Sequence, residues 1–152
     1  MKAIFACGRQ GEFGLLGGIP WIQPGDLKQF KEYTMGGTLV MGRNTFESLP
    51  CKLPGRRHVV ISSRSEFDGK QPDVVIRSIY DAPSDGIVIG GARVIEEALL
   101  SGLCEEVSIT YMDGSFEADV RIDLPIISEC LSMMSYMATN EPWGVRVIWK
   151  HR

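Results

Sequence analysis

Several features that would take a chain outside an ordinary enzyme-sized domain are scarce or missing. Among 152 residues there are four cysteines, Cys7, Cys51, Cys104 and Cys130, and two histidines, His58 and His151. No cysteines form a C-x-x-C pair and none has a histidine nearby, so no zinc set is expected and the thiols read as reduced core residues. Neither histidine has a suitably spaced partner, and neither is assigned a catalytic role. A basic excess is also lacking: 16 Lys+Arg stand against 19 Asp+Glu, for a formal charge of -3. Binding of nucleic acid or anionic lipid by bulk charge needs a cationic field, so neither partner is expected. The N-terminal MKAIFACGRQ holds one lysine before an apolar stretch that Gly8 and Arg9 close. It is too short for a signal h-region or a membrane span, and a reducing cytoplasm is the expected location. Repeats, low-complexity segments and interdomain linkers are absent, as is the G-x-G-x-x-G fingerprint.

What is present is a 44% hydrophobic chain, long enough to bury roughly 68–70% of its unfolded surface without disulfides or metal. Glycine is in excess, 17 of 152, or about 11% against a usual ~7%. Strand-like runs occur at 3–7, 38–41, 58–61, 73–76, 87–89, 107–112, 133–138 and 145–149, and helical patterns at 26–35, 44–49 and 93–101. Alternation of strand and helix over the first two thirds predicts right-handed crossovers and a mostly parallel buried sheet. The last three strands follow one another with no helical pattern between them, and N-E-P-W-G from Asn140 reads as a hairpin-like turn. The expected fold is a single α/β domain, 1–152, with flanking helices and an antiparallel C-terminal edge.

The glycine-rich stretch 14–21, Gly-Leu-Leu-Gly-Gly-Ile-Pro-Trp, reads either as a surface loop pinned by Trp21 or as a mobile lid. Asp26 shares a helical stripe with Leu27, Phe30 and Thr34. With Gln29 three residues on it matches a capping box; the rival reading is a buried acid that binds an amidine-like heterocycle edge. Two strand-glycine-helix junctions, Gly42-Arg43-Asn44-Thr45 and Gly90-Gly91-Ala92-Arg93, read as sharp turns, the first capped by Asn44, or as phosphate sites at helix starts. Their occurrence as a pair favours a dinucleotide, which offers phosphates to more than one loop. Arg56 follows a Pro-Gly turn, and Ser62-Ser63-Arg64 follows a strand as a plausible anion cup.

Taken in order, Ile19-Pro20-Trp21, Asp26-Leu27-x-x-Phe30, Met41-Gly42-Arg43-x-Thr45-Phe46-Glu47-Ser48-Leu49, Leu53-Pro54-Gly55-Arg56 and Val88-Ile89-Gly90-Gly91 resemble the dihydrofolate reductase family. The resemblance implies that family's mixed sheet, with an adenosine-binding lobe at about residues 38–85, and NADPH-dependent reduction of 7,8-dihydrofolate at C6. It implies that Asp26 is the sole ionisable side chain of the pterin pocket, with Thr110 beside it and Trp21 positioning a water. Phe5, Cys7, Leu27, Phe30, Leu49, Leu53 and Ile89 would surround the substrate, and Arg56 would clamp its glutamate carboxylate. Ile19 and the loop from Gly14 would close over the nicotinamide. Cys7, Phe13, Gly42, Asn44, Thr45, Ile89, Gly90, Gly91, Ala92, Arg93, Val94 and Ile95 would line the cofactor channel. Arg43, Ile61, Ser62, Ser63, Arg64 and Arg77 would form the adenosine end, several of them around the 2'-phosphate. Ile95 departs from the family, which usually has an aromatic residue there. The further implications are a cytoplasmic monomer without metal, acting in tetrahydrofolate synthesis and one-carbon metabolism, with dihydrofolate and antifolate small molecules as partners. A pteridine or pyrimidine reductase of the same fold, or a non-catalytic cofactor-binding homologue, is the alternative.

Overall fold

The computed structural model describes residues 1–151; Arg152, the last residue of the expected domain, lies outside them. Eight strands form the main sheet: β1 (Lys2–Gly8), β3 (Thr38–Gly42), β4 (Arg57–Ile61), β5 (Val74–Ile76), β6 (Ile87–Gly90), β7 (Glu106–Met112), β9 (Ser135–Glu141) and β10 (Gly144–Lys150). Their order is β5-β4-β3-β6-β1-β7-β10-β9. Neighbours from β5 to β7 run parallel, while β10 is antiparallel to both β7 and β9. Every strand read from the sequence is thus present, shifted by a residue or two at most ends. Only Pro142 and Trp143 separate β9 from β10. Residues 38–85 hold the β5-β4-β3 edge of this same sheet.

Helices α1 (Pro24–Thr34), α2 (Arg43–Ser48) and α3 (Ala92–Leu100) match the three helical patterns. A fourth, α4 (Leu124–Leu131), corrects the expectation that no helix lies between the last strands. Its signals were in the sequence: the Asp123 carboxylate accepts from the Ile126 N–H, Pro125 sits in the first turn, and Leu124, Ile127 and Leu131 recur at helical spacing. Two short strands, β2 (Glu12–Gly14) and β8 (Val120–Arg121), pair as a separate ribbon that no sequence period announces. Among the described residues, no helix is long and apolar enough to cross a membrane.

The pleat of the sheet sorts side chains into two cores. Ala3, Phe5 and Cys7 of β1 join Val40, Val59, Val88, Val107 and Ile109 with the inner faces of α3 and α4. Ile4 instead joins Leu39, Met41, Phe46, Val60 and Ile87, against which Phe30 and Tyr33 of α1 pack. The chain therefore lays α1 across one face and α3 with α4 across the other.

A buried carboxylate fastens the β2 ribbon. Glu12 is 1% exposed; its oxygens accept from the Gln10 N–H at 2.8 Å and the Phe116 N–H at 3.1 Å. Burial pushes its carboxyl upward, but the backbone donors and Arg121 outweigh that and hold it below the ordinary range. Stability from such a group is present above the unfolded pKa and lost as pH falls through the lower folded one. Glu12→Gln is expected to cost about 1–3 kcal/mol at neutral pH. The gap to the parent in urea unfolding should close on acidification below about pH 4.

Candidate functional site

The groove begins where α1 leaves the sheet. Proline at the first helical position fixes the start of α1 with Gln23 as N-cap, and no side chain caps it. Asp26 is therefore inside the first turn, and the capping box predicted from Asp26 and Gln29 does not form; Gln29 Nε2 donates to Glu141 Oε1 at 2.8 Å instead. Gly25 is required by contact rather than by a turn, since any Cβ there would collide with the Trp143 ring. That close approach seats the start of α1 on the β9–β10 turn and brings the Asp26 carboxylate near the Thr110 hydroxyl. Burial raises the Asp26 carboxyl above its ordinary value, and the Thr110 hydroxyl and the Arg146 charge partly oppose the rise.

Apolar residues surround this acid. Phe30, Leu49, Leu53 and Ile89 pack half-buried against the Ile4 core and leave a flank open, while Leu27 and Ile19 are each 52% exposed at the mouth. Trp21 is buried edge-on against Phe116, ring centroids 5.2 Å apart, and its indole N–H has no partner among the described residues. The 14–21 loop is tethered near its base, with the Leu16 N–H donating to Asp119 Oδ2 at 2.9 Å.

At the other end of the groove a buried histidine shapes the approach of Arg56. His58 Nε2 accepts from the Leu53 N–H at 3.0 Å, and the Gly36 N–H donates to Gly55 O. Burial lowers the His58 pKa and keeps the ring neutral, as an acceptor must be. On the turn so held, Arg56 donates from Nε to Pro54 O and from Nη1 to Thr34 Oγ1, both at 3.1 Å. The fork is fixed between the turn and the end of α1, where it can address a carboxylate.

The two glycine junctions lie side by side, on neighbouring strands β3 and β6. Gly42 and Gly91 are the N-caps of α2 and α3 and neither helix has a side-chain cap, so Asn44 does not cap α2 as its position suggested. The first N–H groups of the nine-residue α3 are left without side-chain acceptors. Gly90 has φ +156°, and a Cβ on it would sit 3.3 Å from Thr45 Oγ1, so the two junctions nearly touch. Beyond β4, Ser62 Oγ accepts from Arg43 Nη1 and the Arg64 N–H, both at 3.1 Å, and Arg77 Nη1 donates to Ser62 O. Arg43 is further engaged by Glu47, Glu66 O and the face of Phe67. Asn44, Ser63, Arg64 and Arg93 are exposed around this cup. Phe13, Ile61 and Val94 are partly buried against the α3-side core, and Gly14 and Ala92 are buried. Unsatisfied helix-start donors next to exposed guanidiniums and hydroxyls fit an anionic dinucleotide.

Three expected site residues, Phe5, Cys7 and Ile95, have their side chains in the α3-side core. The side chains of Phe5 and Cys7 lie on the α3-side face, so Ile4 and Ala6, the alternate residues of β1, are the ones turned to the groove. Cys7 is fully buried there, its thiol pushed up to about 12, chiefly by burial. Ile95 is 0% exposed within the same core and offers no surface to a ligand. The register Ala6↔Thr110 carries the missing signal: a strand residue opposite a groove residue shares its face. Arg146, paired with Thr110 from the other side, was also missed, and with it the groove has a second ionisable group near Asp26.

Fold and groove together define an α/β ligand-binding protein in which an acid-floored apolar cleft adjoins phosphate-ready junctions. The dihydrofolate reductase family model matches residues 1–130, and the chain belongs to that family. It is 40% identical over 103 residues to a Staphylococcus aureus dihydrofolate reductase; the match covers 66% of this chain and only 64% of that relative's length. With the Escherichia coli dihydrofolate reductase type 9 it shares 35% identity over 164 aligned positions, covering 98% and 92% of the two chains. The Enterococcus faecalis dihydrofolate reductase, solved with NADP(H) and RAB-propyl, superposes with a TM-score of 0.78 at 29% identity over 98% and 94% of the chains.

Because His58 anchors the turn that carries Leu53 and Arg56, His58→Leu leaves the Leu53 N–H without its acceptor. The expected cost is about 1–3 kcal/mol in urea unfolding, with faster hydrogen exchange at the Leu53 amide.

Proposed function

We propose that this chain reduces 7,8-dihydrofolate to 5,6,7,8-tetrahydrofolate with NADPH, placing hydride on C6 and a water-delivered proton on N5. The observation that carries the reading is the half-buried Asp26, its carboxyl raised by burial on the Thr110 side of the sheet, in an apolar cleft whose far end holds the braced Arg56. An anionic carboxylate there replaces the hydration of a ring N3–H and a 2-amino group by paired hydrogen bonds. Leu27, Phe30, Leu49, Leu53 and Ile89, with Ile4 and Ala6, exclude water and stack the flat ring. Arg56 takes the α-carboxylate of the glutamate tail, the feature that favours folate over a bare pteridine or a pyrimidine. The buried and unpartnered Trp21 N–H gives a water one anchor near the acid, from which a proton can be relayed.

NADPH, when bound, supplies the hydride. Its nicotinamide end is assigned to Ile19, Phe13, Gly14 and Ala92, its phosphates to Gly42, Asn44, Thr45, Gly90, Gly91 and Arg93 with Val94 behind them. The adenosine end is assigned to Ile61, Ser62, Ser63, Arg64 and Arg77. Since Arg43 is spent on Glu47 and Ser62, the exposed Ser63 and Arg64 are the groups left to read a 2'-phosphate, with Arg43 as their brace. The same reading makes the protein a cytoplasmic monomer that supports thymidylate and one-carbon metabolism and takes antifolates in the folate cleft.

Loss of reduced-nicotinamide absorbance with and without dihydrofolate tests the proposal; oxidation only with another pteridine or pyrimidine, or none at all, would replace it by one of the alternatives. Asp26→Asn should fold and bind NADPH nearly as the parent does but lose about 10²-fold or more of its turnover near neutral pH. Activity should recover partly as pH falls and the substrate protonates in solution. Arg56→Leu should weaken dihydrofolate binding by roughly 2–5 kcal/mol and leave NADPH and a dihydropterin without glutamate unaffected.

A further inference from the structure

Strand β10 places a cation on the face that α1 covers. Arg146 is directly opposite Thr110 in the antiparallel β7–β10 ladder, so both side chains leave the sheet on the side of Asp26. Its Nε donates to Ser108 Oγ at 3.3 Å, and its guanidinium carbon lies 5.9 Å from the centroid of the Tyr33 ring, two helical turns beyond Asp26 on α1. The other charges nearby are already matched. Tyr33 donates its hydroxyl to Glu106, and Lys2 and Lys150 lie 3.8 Å and 3.4 Å from the same carboxylate. Glu141 of β9 accepts from Gln29, the next residue of α1 to face the sheet after Asp26. Thr110 and Trp21 are neutral. Among the described residues Arg146 has no ion pair, which leaves its charge to act on Asp26.

We propose that Arg146 is a positioning residue for Asp26, a fixed positive charge behind the acid that keeps it anionic and tempers the cleft's hold on heterocycles arriving as cations relative to neutral ones. An acid desolvated by burial tends toward the protonated form, which can no longer accept two hydrogen bonds. A guanidinium close by, but not in contact, opposes that protonation without occupying the carboxylate oxygens. The direction of the Arg146 influence on the Asp26 carboxyl, downward, agrees. The same field adds a repulsive element against a protonated ring while leaving an uncharged one nearly untouched. The selectivity half of this proposal rests on the folate-site reading; the effect on Asp26 does not.

The test uses the full chain as parent, Arg146→Met and Arg146→Lys, with folding checked by circular dichroism. The Asp26 carboxyl is titrated in ligand-free protein by carbon-13 NMR, its resonance identified with Asp26→Asn. The Met variant is expected to titrate about half to one pH unit higher than the parent, and the Lys variant close to it. Affinity for a 2,4-diaminopyrimidine, taken up as its cation, should rise about three- to tenfold in the Met variant, while dihydrofolate affinity changes less than about twofold. An Asp26 titration that does not move in folded Met variant overturns the proposal, as does equal tightening of both ligands. If the Met variant does not fold, Arg146→Gln, which keeps a donor for Ser108, decides by the same readings. The titration needs neither cofactor nor turnover. A parent that never oxidises NADPH with dihydrofolate would refute the reductase reading, and the NMR result would still decide whether Arg146 governs Asp26.

Discussion

A residue on a buried strand has two faces to choose between, and the pleat of β1, β7 and β10 makes that choice for every group in the cleft. Phe5, Cys7, Val107 and Ile109 go to the face under α3 and α4 and form an apolar core with no polar obligations. Ile4, Ala6, Thr110 and Arg146 go to the other, where α1 brings Asp26 down on them. A slip of one residue in β1 or β10 would exchange these sets, burying Arg146 in the aliphatic core and opening Cys7 to the cleft. Register is therefore what the site depends on, and the two-sided burial of a parallel sheet is what enforces it.

Polar contacts then aim the pieces that register leaves free. The start of α1 is located by Pro24, by the space Gly25 leaves for Trp143 and by the Gln29–Glu141 bond, and its end by Thr34, which is buried and holds Arg56. One helix thus spans the cleft with an acid near its first turn and a braced arginine beside its last. The eight steps from Asp26 to Thr34, about 12 Å of helical rise, set the spacing between a group for a heterocycle edge and the support of a group for a carboxylate. His58 and Glu12, both buried and both outside the cleft, stiffen the two loops that border it.

Much of this was legible in the order of the residues. Short apolar runs bounded by glycine located the sheet strands, and the ordered motifs from Ile19 to Gly91 pointed to the family and to Asp26 and Arg56. Sequence periodicity is silent on which face of a both-sides-buried strand a residue takes, because all its positions are apolar; that Phe5 and Cys7 turn their side chains to the α3-side core is visible only in the structure. The ladder pairing that reveals Arg146 is a contact between residues 36 positions apart along the chain. At Asp26 and Asn44 the capping alternative fails because a proline start or a glycine N-cap pre-empts it, whereas at α4 a true cap was passed over.

The position of β10 in the sheet has a consequence for how the protein comes into being. Although it follows both in sequence, β10 lies between β7 and β9, and among the described residues β9 has no other neighbour in the sheet. During synthesis the acid-bearing helix emerges early, and its seat on Trp143 and its companion Arg146 only long after it. Until then α1 has only half a floor, β7 an open edge, and β9 nothing to pair with. The nascent chain must hold its apolar sheet surface in solution while it waits for β10, an interval in which chaperones have the most to protect.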